Sequence, residues 1–286
     1  MRYQILTDSC CDFPQQMYSE LGLNVVPLTL LYQGQSHDSF TDEFLKTMYD
    51  GLRAGETATT SAVNPQTWAN AMEPILEAGD DLLVMAFSSG LSTTYQSAVI
   101  AAEELAEKYP DRKIRVTDTL CASLGQGLLV WYACKKRETG VSLEELVQWV
   151  EENKFRLCHW FTVDDLMYLK RGGRIGAGTA LLGTMLGIKP VLHMDDTGHL
   201  VTVSKTRGRK AAIDALAAQM AQLGQGFDNE TVFISHGDCL EDAQYLAEKL
   251  KQEQGVKEVL IGYVGAVIGS HSGPGTLALF FLGKER

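Results

Sequence analysis

The chain has 286 residues, of which 45% are hydrophobic and 21% are charged, a composition typical of a globular protein that buries a core. Its 36 acidic and 25 basic residues give a formal net charge of -11, which disfavours nucleic-acid backbones and anionic membrane surfaces as partners. The sequence lacks the apolar run that a membrane helix needs and starts without a signal-peptide core, so that we expect a cytoplasmic protein.

The first half of the chain alternates strand-like runs with helical segments, an order typical of a parallel sheet covered by helices. The strand-like runs are residues 3–7, 24–31, 82–87 and 113–117. We therefore predict an α/β fold that begins with a parallel sheet.

Capping residues mark the starts of several helices. Asn64 stands before a proline, and Ser142 with Glu145 forms a capping-box pattern, both of which are typical of helix N-termini. Ser92 precedes an Ala- and Glu-rich segment at residues 93–109, and we predict that Ser92 caps this helix.

The pattern changes after about residue 154, where we predict that a second domain begins. Residues 189–193 and 199–204 flank the turn sequence Asp-Asp-Thr-Gly, which predicts a β-hairpin and therefore antiparallel pairing in this half. The other predicted elements are strands at 157–163, 231–235, 259–264 and 276–282 and helices at 208–223 and 240–254.

Polar residues follow several predicted strands or open predicted helices. Asp8 and Ser9 end the first strand, while residues 59–61 and 88–94 form two hydroxyl-rich loops. Ligands bind at the carboxyl ends of strands in open α/β sheets, and helix N-termini favour anions. These loops could therefore hold a carboxylate, but helix capping uses the same residues, and the sequence does not decide between the two.

Two further turns contain candidate binding residues. Ser123 lies in a small-residue turn after the strand that ends at residue 117, where capping and close packing are sufficient explanations. His271 lies in the segment 265–275, which is rich in Gly and Ser and which we predict to be a flexible loop. A histidine in such a loop can donate a hydrogen bond to an anion.

Basic residues occur in two local groups. Arg171 precedes the glycine-rich segment 172–178, and Arg174 lies within it. This segment lacks the Lys-Ser/Thr ending of a P-loop, so that we reject ATP binding by this chain. These arginines could bind an anion or form an ordinary ion pair between domains. Arg207 and Arg209 form a basic cluster that could dock a partner or simply face solvent.

The six cysteines are scattered through the chain, and we expect reduced thiols rather than disulfides. No CxxC spacing or histidine cluster accompanies them. We therefore predict no metal site.

Seven segments in register resemble the DegV family across essentially the whole chain. They are TDSCCDFP at 7–14, TTSAVNP at 59–65, SSGLSTTYQSA at 88–98, DTLCASLGQG at 118–127, VDDLMYLKRGGRI at 163–175, LLGTMLGIKPVL at 181–192 and IGSHSGPGTLAL at 268–279. Each segment alone is weak evidence for the family, whereas all seven in the same order are highly specific for it.

The resemblance implies a Rossmann-like parallel-sheet domain over residues 1–156 and a smaller two-layer α/β domain with a mixed sheet over residues 157–286. One long-chain fatty acid, such as palmitate, stearate or oleate, would lie between the domains. Similar proteins serve as the acyl-binding subunit of a bacterial fatty-acid kinase, in which a separate ATP-using subunit phosphorylates the bound carboxylate for phospholipid synthesis. The resemblance thus implies a carrier without catalytic residues or cofactor.

The same resemblance assigns roles to individual residues. Ser61 and Ser92 would donate their hydroxyls to the carboxylate, and His271 would lie beside it. The remaining expected headgroup residues are Thr60, Thr93 and Arg174; the expected supporting residues behind them are Asp8, Ser9 and Ser123; and the kinase would dock at Arg207 and Arg209. The apolar stretches at 181–192 and 277–282 are candidates for the lining of the tail tunnel.

Two alternative functions remain open at this point. A hydrolase or acyl transferase acting on a lipid ester could use Ser61 or Ser92 with His271 and Asp8, although no G-x-S-x-G sequence surrounds either serine. Phosphotransfer through His271 is the other alternative.

Overall fold

The computed structural model describes residues 2–176 and 187–286 of the chain. In chain order the first half forms β1 (Tyr3–Asp8), α1 (Gln15–Glu20), β2 (Asn24–Val26), β3 (Thr29–Tyr32), β4 (Gln35–His37), α2 (Asp42–Arg53), β5 (Ala58–Ser61), α3 (Pro65–Glu77), β6 (Asp81–Ala86), α4 (Thr94–Lys108), β7 (Ile114–Asp118), α5 (Leu124–Glu138) and α6 (Leu143–Asn153). The second half forms β8 (Leu157–Thr162), α7 (Met167–Arg171), β9 (Ile188–Met194), β10 (Leu200–Arg207), α8 (Arg209–Leu223), β11 (Thr231–His236), α9 (Leu240–Gln254), β12 (Glu258–Tyr263), α10 (Ala266–Ser272) and β13 (Leu277–Leu282).

The first half contains a parallel sheet in the order β2-β1-β6-β7, as predicted. Helices cover both faces of this sheet. Neighbouring residues of β6 pack into two different cores, one on each face. Leu82 and Val84 pack with α3 and α4, whereas Leu83 and Met85 pack with α5 and α6. Burial on both faces explains why β6 is apolar without alternation.

The predicted strand at residues 24–31 is wrong as a single strand. Residues 24–26 form β2 of the parallel sheet, while β3 belongs to a separate antiparallel sheet in the order β4-β3-β5. Pro27 lies between the two strands and has no N–H to continue a ladder. The backbone N–H of the next residue, Leu28, donates instead to Ser9 Oγ at 3.0 Å.

The second half contains a six-stranded mixed sheet in the order β10-β9-β8-β13-β11-β12. Among the strands described here, β11 and β12 pair in parallel and the other neighbours in this sheet pair antiparallel, including β9 and β10, which form the predicted hairpin. Helices α8 and α9 cover one face. Helix α5 of the first half packs against the other face through Leu124 and Leu128, which share a core with Phe233 and Phe280. This shared core joins the two halves.

All strands of the mixed sheet lie after residue 156, and the strands of the other two sheets lie before it. A division into domains at residue 156 stays a prediction. Among the residues described, no helix has the length and apolarity that crossing a membrane requires.

The helix caps agree with the sequence at two of three predicted positions. Asn64 Oδ1 accepts the N–H of Thr67 at 2.9 Å, and the capping box of Ser142 and Glu145 is present. The third position is corrected, because α4 has Thr93 at its N-cap and not Ser92.

The predicted flexible loop around His271 is also wrong, since residues 266–272 form α10. Two of the four glycines of residues 265–275 lie after the helix. Gly273 and Gly275 have φ values of 82° and 75°, a left-handed conformation that glycine adopts without strain and that ends helices.

Candidate functional site

A cavity of about 480 Å³ lies between the two halves of the molecule, a size within the usual range for small-molecule sites. Most of its lining is apolar. Its apolar lining residues include Leu28, Phe87 and Leu91 from the first half and Phe161, Met194 and Phe280 from the second. The cavity can therefore hold a hydrophobic ligand that contacts both halves.

The polar residues Thr60, Arg174 and His271 line this cavity and also line a neighbouring groove of about 330 Å³. Most of the residues that line the groove are polar, and Glu56 and Arg171 are among them. The apolar cavity thus meets a polar groove at Thr60, Arg174 and His271.

His271 is hydrogen-bonded to Thr60, with 2.7 Å between His271 Nε2 and Thr60 Oγ1. Burial and, to a smaller extent, the positive charge of Arg174 together lower the pKa of His271 to about 4. The imidazole is therefore neutral at neutral pH. A Cβ atom at Gly172 would lie 2.3 Å from His271 Nδ1, so that the ring packs directly against a glycine backbone.

Ser92 and Thr93 also line the cavity, at the start of α4. Ser92 Oγ lies 2.9 Å from Thr94 Oγ1 and accepts the N–H of Thr94 at 3.2 Å. Arg174 Nε donates to the carbonyl oxygen of Leu91 at 3.2 Å, which ties the second half of the chain to this loop. The positive end of α4, two hydroxyls and a guanidinium together favour an anion.

Ser61 does not line the cavity or the groove, although sequence similarity assigns it to the headgroup. Along β5 the half-buried and exposed residues alternate, with Thr60 half-buried and Ser61 exposed. Successive side chains of a strand point to opposite faces. The geometry therefore brings Thr60, and not Ser61, to the cavity.

Asp8 and Ser9 support the cavity wall from behind. Asp8 Oδ2 accepts the N–H of Phe87 at 2.7 Å, and Ser9 Oγ accepts the N–H of Leu28 at 3.0 Å. Phe87 and Leu28 both line the cavity. Burial raises the pKa of Asp8 and outweighs the opposite effect of hydrogen bonds from Phe87 and Cys10, so that the net pKa is about 6.

Ser123 lines the cavity and hydrogen-bonds to two residues that the sequence did not indicate. Its Oγ donates to Asp12 Oδ2 at 2.6 Å and lies 3.1 Å from Ser235 Oγ. Asp12 and Ser123 have φ values of 51° and 55°, a conformation that non-glycine residues adopt at a cost and often at functional sites. Burial raises the pKa of Asp12 and outweighs the opposite effect of hydrogen bonds from the Ser123 hydroxyl and the Gly265 N–H, so that the net pKa is about 7.

His159 is another cavity residue that sequence reasoning missed. Its Nε2 accepts the N–H of Ala122 at 3.3 Å, and its Nδ1 lies 3.0 Å from the carbonyl oxygen of Leu157. Burial lowers the pKa of His159 well below the usual value. His159 is therefore a neutral part of the wall, and no motif in the sequence marked it.

The two predicted docking arginines lie outside the cavity. Arg207 is exposed at the end of β10. Arg209 is half-buried, and its guanidinium forms ion pairs with Asp242 at 2.7 Å and Asp164 at 3.6 Å. Of the pair, Arg207 presents the more accessible charge.

Part of the predicted tail tunnel lies outside the described residues, namely 181–186. The described remainder of that stretch does not line the cavity, whereas Ala278 and Phe280 of the second predicted stretch do. All six cysteines are free thiols. Over residues 2–176 and 187–286, no group of three or more His, Cys, Asp or Glu side chains could hold a metal ion.

The structure does not assemble the hydrogen bonds that a serine hydrolase needs. Within the described part of the chain, His271 bonds to Thr60, and Ser92 bonds to Thr94. Asp8 accepts backbone N–H groups of residues 10 and 87. No serine, histidine and carboxylate are therefore linked in series here, as a triad requires.

Family comparison places the chain among known sequences. The DegV family model, described as an uncharacterised protein family, matches residues 2–284. A DegV domain-containing protein of Clostridium perfringens is 45% identical over 287 residues, covering 100% of this chain and 99% of the relative. A DegV domain-containing protein of Streptococcus pyogenes is 36% identical with the same coverage.

Solved structures with the same fold include proteins described by the fatty acids they bind. A fatty-acid-binding DegV family protein from Thermus thermophilus has a TM-score of 0.89 and 33% identity, covering 99% of this chain and 100% of the other. A stearic-acid-binding protein from Eubacterium ventriosum has a TM-score of 0.88 and 27% identity, covering 99% and 98%. DegV from Bacillus subtilis, a fatty acid binding protein, has a TM-score of 0.84 and 26% identity, covering 99% and 100%.

Proposed function

Because this chain belongs to the DegV family, we propose that it binds one long-chain fatty acid in the cavity between its two halves. The carboxylate contacts Thr60, Ser92 and His271, and the hydrocarbon tail fills the apolar interior. The observation that carries the proposal is the arrangement of the cavity, which is apolar inside and polar where it meets the groove. An amphipathic acid matches both parts.

The tail supplies most of the affinity. Burying about 14 methylenes at roughly 0.8 kcal/mol each contributes about 11 kcal/mol of gross driving force. Association and ordering of the chain offset part of this sum. The remainder is sufficient for a fatty acid to stay bound during purification.

The headgroup residues orient the ligand. A buried carboxylate is unfavourable unless it accepts hydrogen bonds, and the hydroxyls of Thr60 and Ser92 can donate them. His271 is neutral in the free protein, and a carboxylate beside it would raise its pKa by favouring the charged imidazolium. Arg174 adds a fixed positive charge at the same end of the cavity.

Mass spectrometry of lipid extracted from the native purified protein tests the proposal. We expect one saturated or unsaturated long-chain fatty acid per chain. Delipidated protein should bind palmitate, stearate or oleate, and a folded delipidated protein with no affinity for any of them would refute the function.

Three substitutions test the headgroup. Ser92→Ala and Thr60→Ala should weaken fatty-acid binding, because each removes a hydroxyl at the polar end of the cavity. Ser61→Ala is the matched control, since Ser61 is exposed on the opposite face of β5. A loss of affinity in Ser61→Ala alone would favour the residue assignment implied by sequence similarity over the one implied by geometry.

We further propose that a separate ATP-using kinase subunit phosphorylates the bound carboxylate, and that the acyl phosphate enters phospholipid synthesis. The support is the resemblance to family members that work in this way, together with the polar groove that leads to the headgroup. Arg207 and Arg209 are the proposed docking residues.

Arg207→Glu is the cleaner test of docking, because Arg209→Glu would also break the ion pair with Asp242. We expect slower acyl-phosphate formation with unchanged fatty-acid affinity. Lys284→Glu makes the same charge change at an exposed site outside the cluster and should have no effect. Normal phosphorylation by Arg207→Glu would exclude this docking surface.

A further inference from the structure

One buried hydroxyl in the cavity wall has no hydrogen-bond partner. Ser272 lines the cavity and is 4% exposed. Its Oγ atom is buried and makes no hydrogen bond within the described part of the chain. A buried hydroxyl is unfavourable unless it is hydrogen-bonded. The free protein therefore offers an unused donor to the molecule that the cavity binds.

Ser272 lies at the headgroup end of the cavity. It directly follows His271 and is the last residue of α10, and consecutive Cα atoms are only about 3.8 Å apart. Ser270 lines the groove, His271 lines both the groove and the cavity, and Ser272 lines the cavity. Successive side chains of a helix are about 100° apart around its axis, which explains this order. Ser272 therefore stands on the cavity side of His271.

The other headgroup residues already share hydrogen bonds in the free protein. One proton serves the 2.7 Å bond between Thr60 and His271, and Ser92 shares a bond of 2.9 Å with Thr94. A carboxylate can accept about four hydrogen bonds. Within the described residues, Ser272 is the member of this group whose hydroxyl proton is not taken up. A carboxylate beside His271 would supply the missing acceptor.

The helix backbone does not take up this proton either. A serine in a helix commonly donates to a carbonyl oxygen three or four residues earlier, as Ser270 does to Val267 at 2.8 Å. Ser272 makes no such bond to any residue that the structure describes. The carbonyl oxygen of Ser272 itself accepts the hydroxyl of Thr276 at 3.1 Å. The two serines of α10 thus differ, because one hydroxyl is used within the helix and the other is left to the cavity.

We propose that Ser272 is a further headgroup residue, which donates its hydroxyl proton to the carboxylate of the bound fatty acid. The inference rests on the proposed fatty-acid function and extends the set of residues that hold the ligand. The same hydroxyl is unfavourable in the free protein and favourable in the complex. Its removal should therefore change stability and affinity in opposite directions.

Ser272→Ala should weaken palmitate binding without destabilising the delipidated protein. The loss of one hydrogen bond to a charged acceptor corresponds to about tenfold to hundredfold lower affinity. Titration calorimetry measures this loss at a pH above the titration range of the carboxyl group. The urea midpoint of the delipidated variant should stay the same or rise, because an unpaired buried hydroxyl has been removed.

Ser270→Ala is the matched control on the same helix. Its hydroxyl has a partner in Val267, and the residue lines the groove and not the cavity. This variant should lose stability through the broken hydrogen bond and keep its affinity for palmitate. The two variants should therefore show opposite patterns.

The ionisation of bound palmitate distinguishes a direct contact from a purely structural effect. A hydrogen bond to a carboxylate lowers the pKa of the acid. In ¹³C NMR of carboxyl-labelled palmitate, Ser272→Ala should raise the pKa of the bound acid by about one unit for each tenfold loss of affinity. Ser270→Ala should leave that pKa unchanged.

Three results would overturn the inference. They are binding by Ser272→Ala within twofold of the unsubstituted protein, an unchanged pKa of the bound acid, and a lower urea midpoint of the delipidated variant. The last result would show that the hydroxyl has a partner in the free protein. Failure of the folded, delipidated, unsubstituted protein to bind palmitate would instead refute the proposed function.

Discussion

Gly172→Ala should weaken fatty-acid binding by moving His271. A Cβ atom at residue 172 would lie 2.3 Å from His271 Nδ1 and 3.2 Å from its Cγ, both too close for the ring to keep its position. The ring would shift and lose its 2.7 Å hydrogen bond to Thr60. Residue 172 itself has φ of -71°, so that alanine causes no backbone strain there.

The expected magnitude follows from the contacts that the ligand loses. The bond between Thr60 and His271 exists in the free protein, so that its loss affects stability more than affinity. A hydrogen bond from His271 to a carboxylate contributes roughly 1.5–3 kcal/mol, because one partner is charged. We therefore expect about 10-fold to 100-fold weaker binding, measured by titration calorimetry of the delipidated protein with palmitate.

Gly173→Ala is the matched control. Gly173 has φ of 70°, and an added Cβ would have no atom within 4 Å. This variant should lose roughly 1 kcal/mol of stability through backbone strain and keep its affinity. Binding by Gly172→Ala within twofold of the unsubstituted protein, or equal losses of affinity in both variants, would refute the role given to His271.

Three other substitutions test the packing around the site. Asp12→Asn removes a carboxyl whose pKa burial raises from 3.8 to about 7. The folded state therefore holds that proton more tightly than the unfolded state does. As the pH rises from about 4 to about 7, the unfolding free energy of the unsubstituted protein should fall by up to about 4 kcal/mol relative to that of the variant. Urea unfolding at a series of pH values measures this difference, and parallel stability curves would contradict it. Tyr49→Phe should cost about 1–2 kcal/mol of unfolding free energy, because the buried hydroxyl donates to the carbonyl oxygen of Val264 at 2.7 Å and its loss leaves that oxygen unpaired; an unchanged urea midpoint would show that the bond is dispensable. Asn64→Ala should cost about 1 kcal/mol through the lost cap of α3, whereas Asn64→Ser should keep most of the stability, and equal thermal midpoints for the two variants would argue against capping.

Local signals in the sequence were sufficient for most of the fold. The alternation of strands and helices predicted the parallel sheet, and the turn at residues 195–198 predicted the hairpin of β9 and β10. Capping by Asn64 and Ser142 was predicted correctly, because the donors and acceptors of a cap lie within three residues of each other. The break at Pro27 was missed, although proline marks such interruptions.

At the site, local sequence signals did not predict the direction in which the side chains point. The sequence singled out residues 59–61, but only the pairing of β5 decides that Thr60 faces the cavity and Ser61 faces away. The sequence also singled out His271, but placed it in a loop and not on α10. In both cases the residue type was visible in the sequence, while its direction depended on neighbouring elements.

The bond that joins Asp12 to Ser123 was decided by tertiary structure alone. The two residues are 111 positions apart, and Ser235 lies 112 positions beyond Ser123. No short-range period or spacing relates residues at such separations. Asp12 and Ser123 meet within the first half, and Ser235 reaches Ser123 only where the two halves pack together. The sequence by itself thus determined the order of elements and the family, whereas the packing of the halves determined the cavity, the side chains that face it and the burial that sets their pKa values.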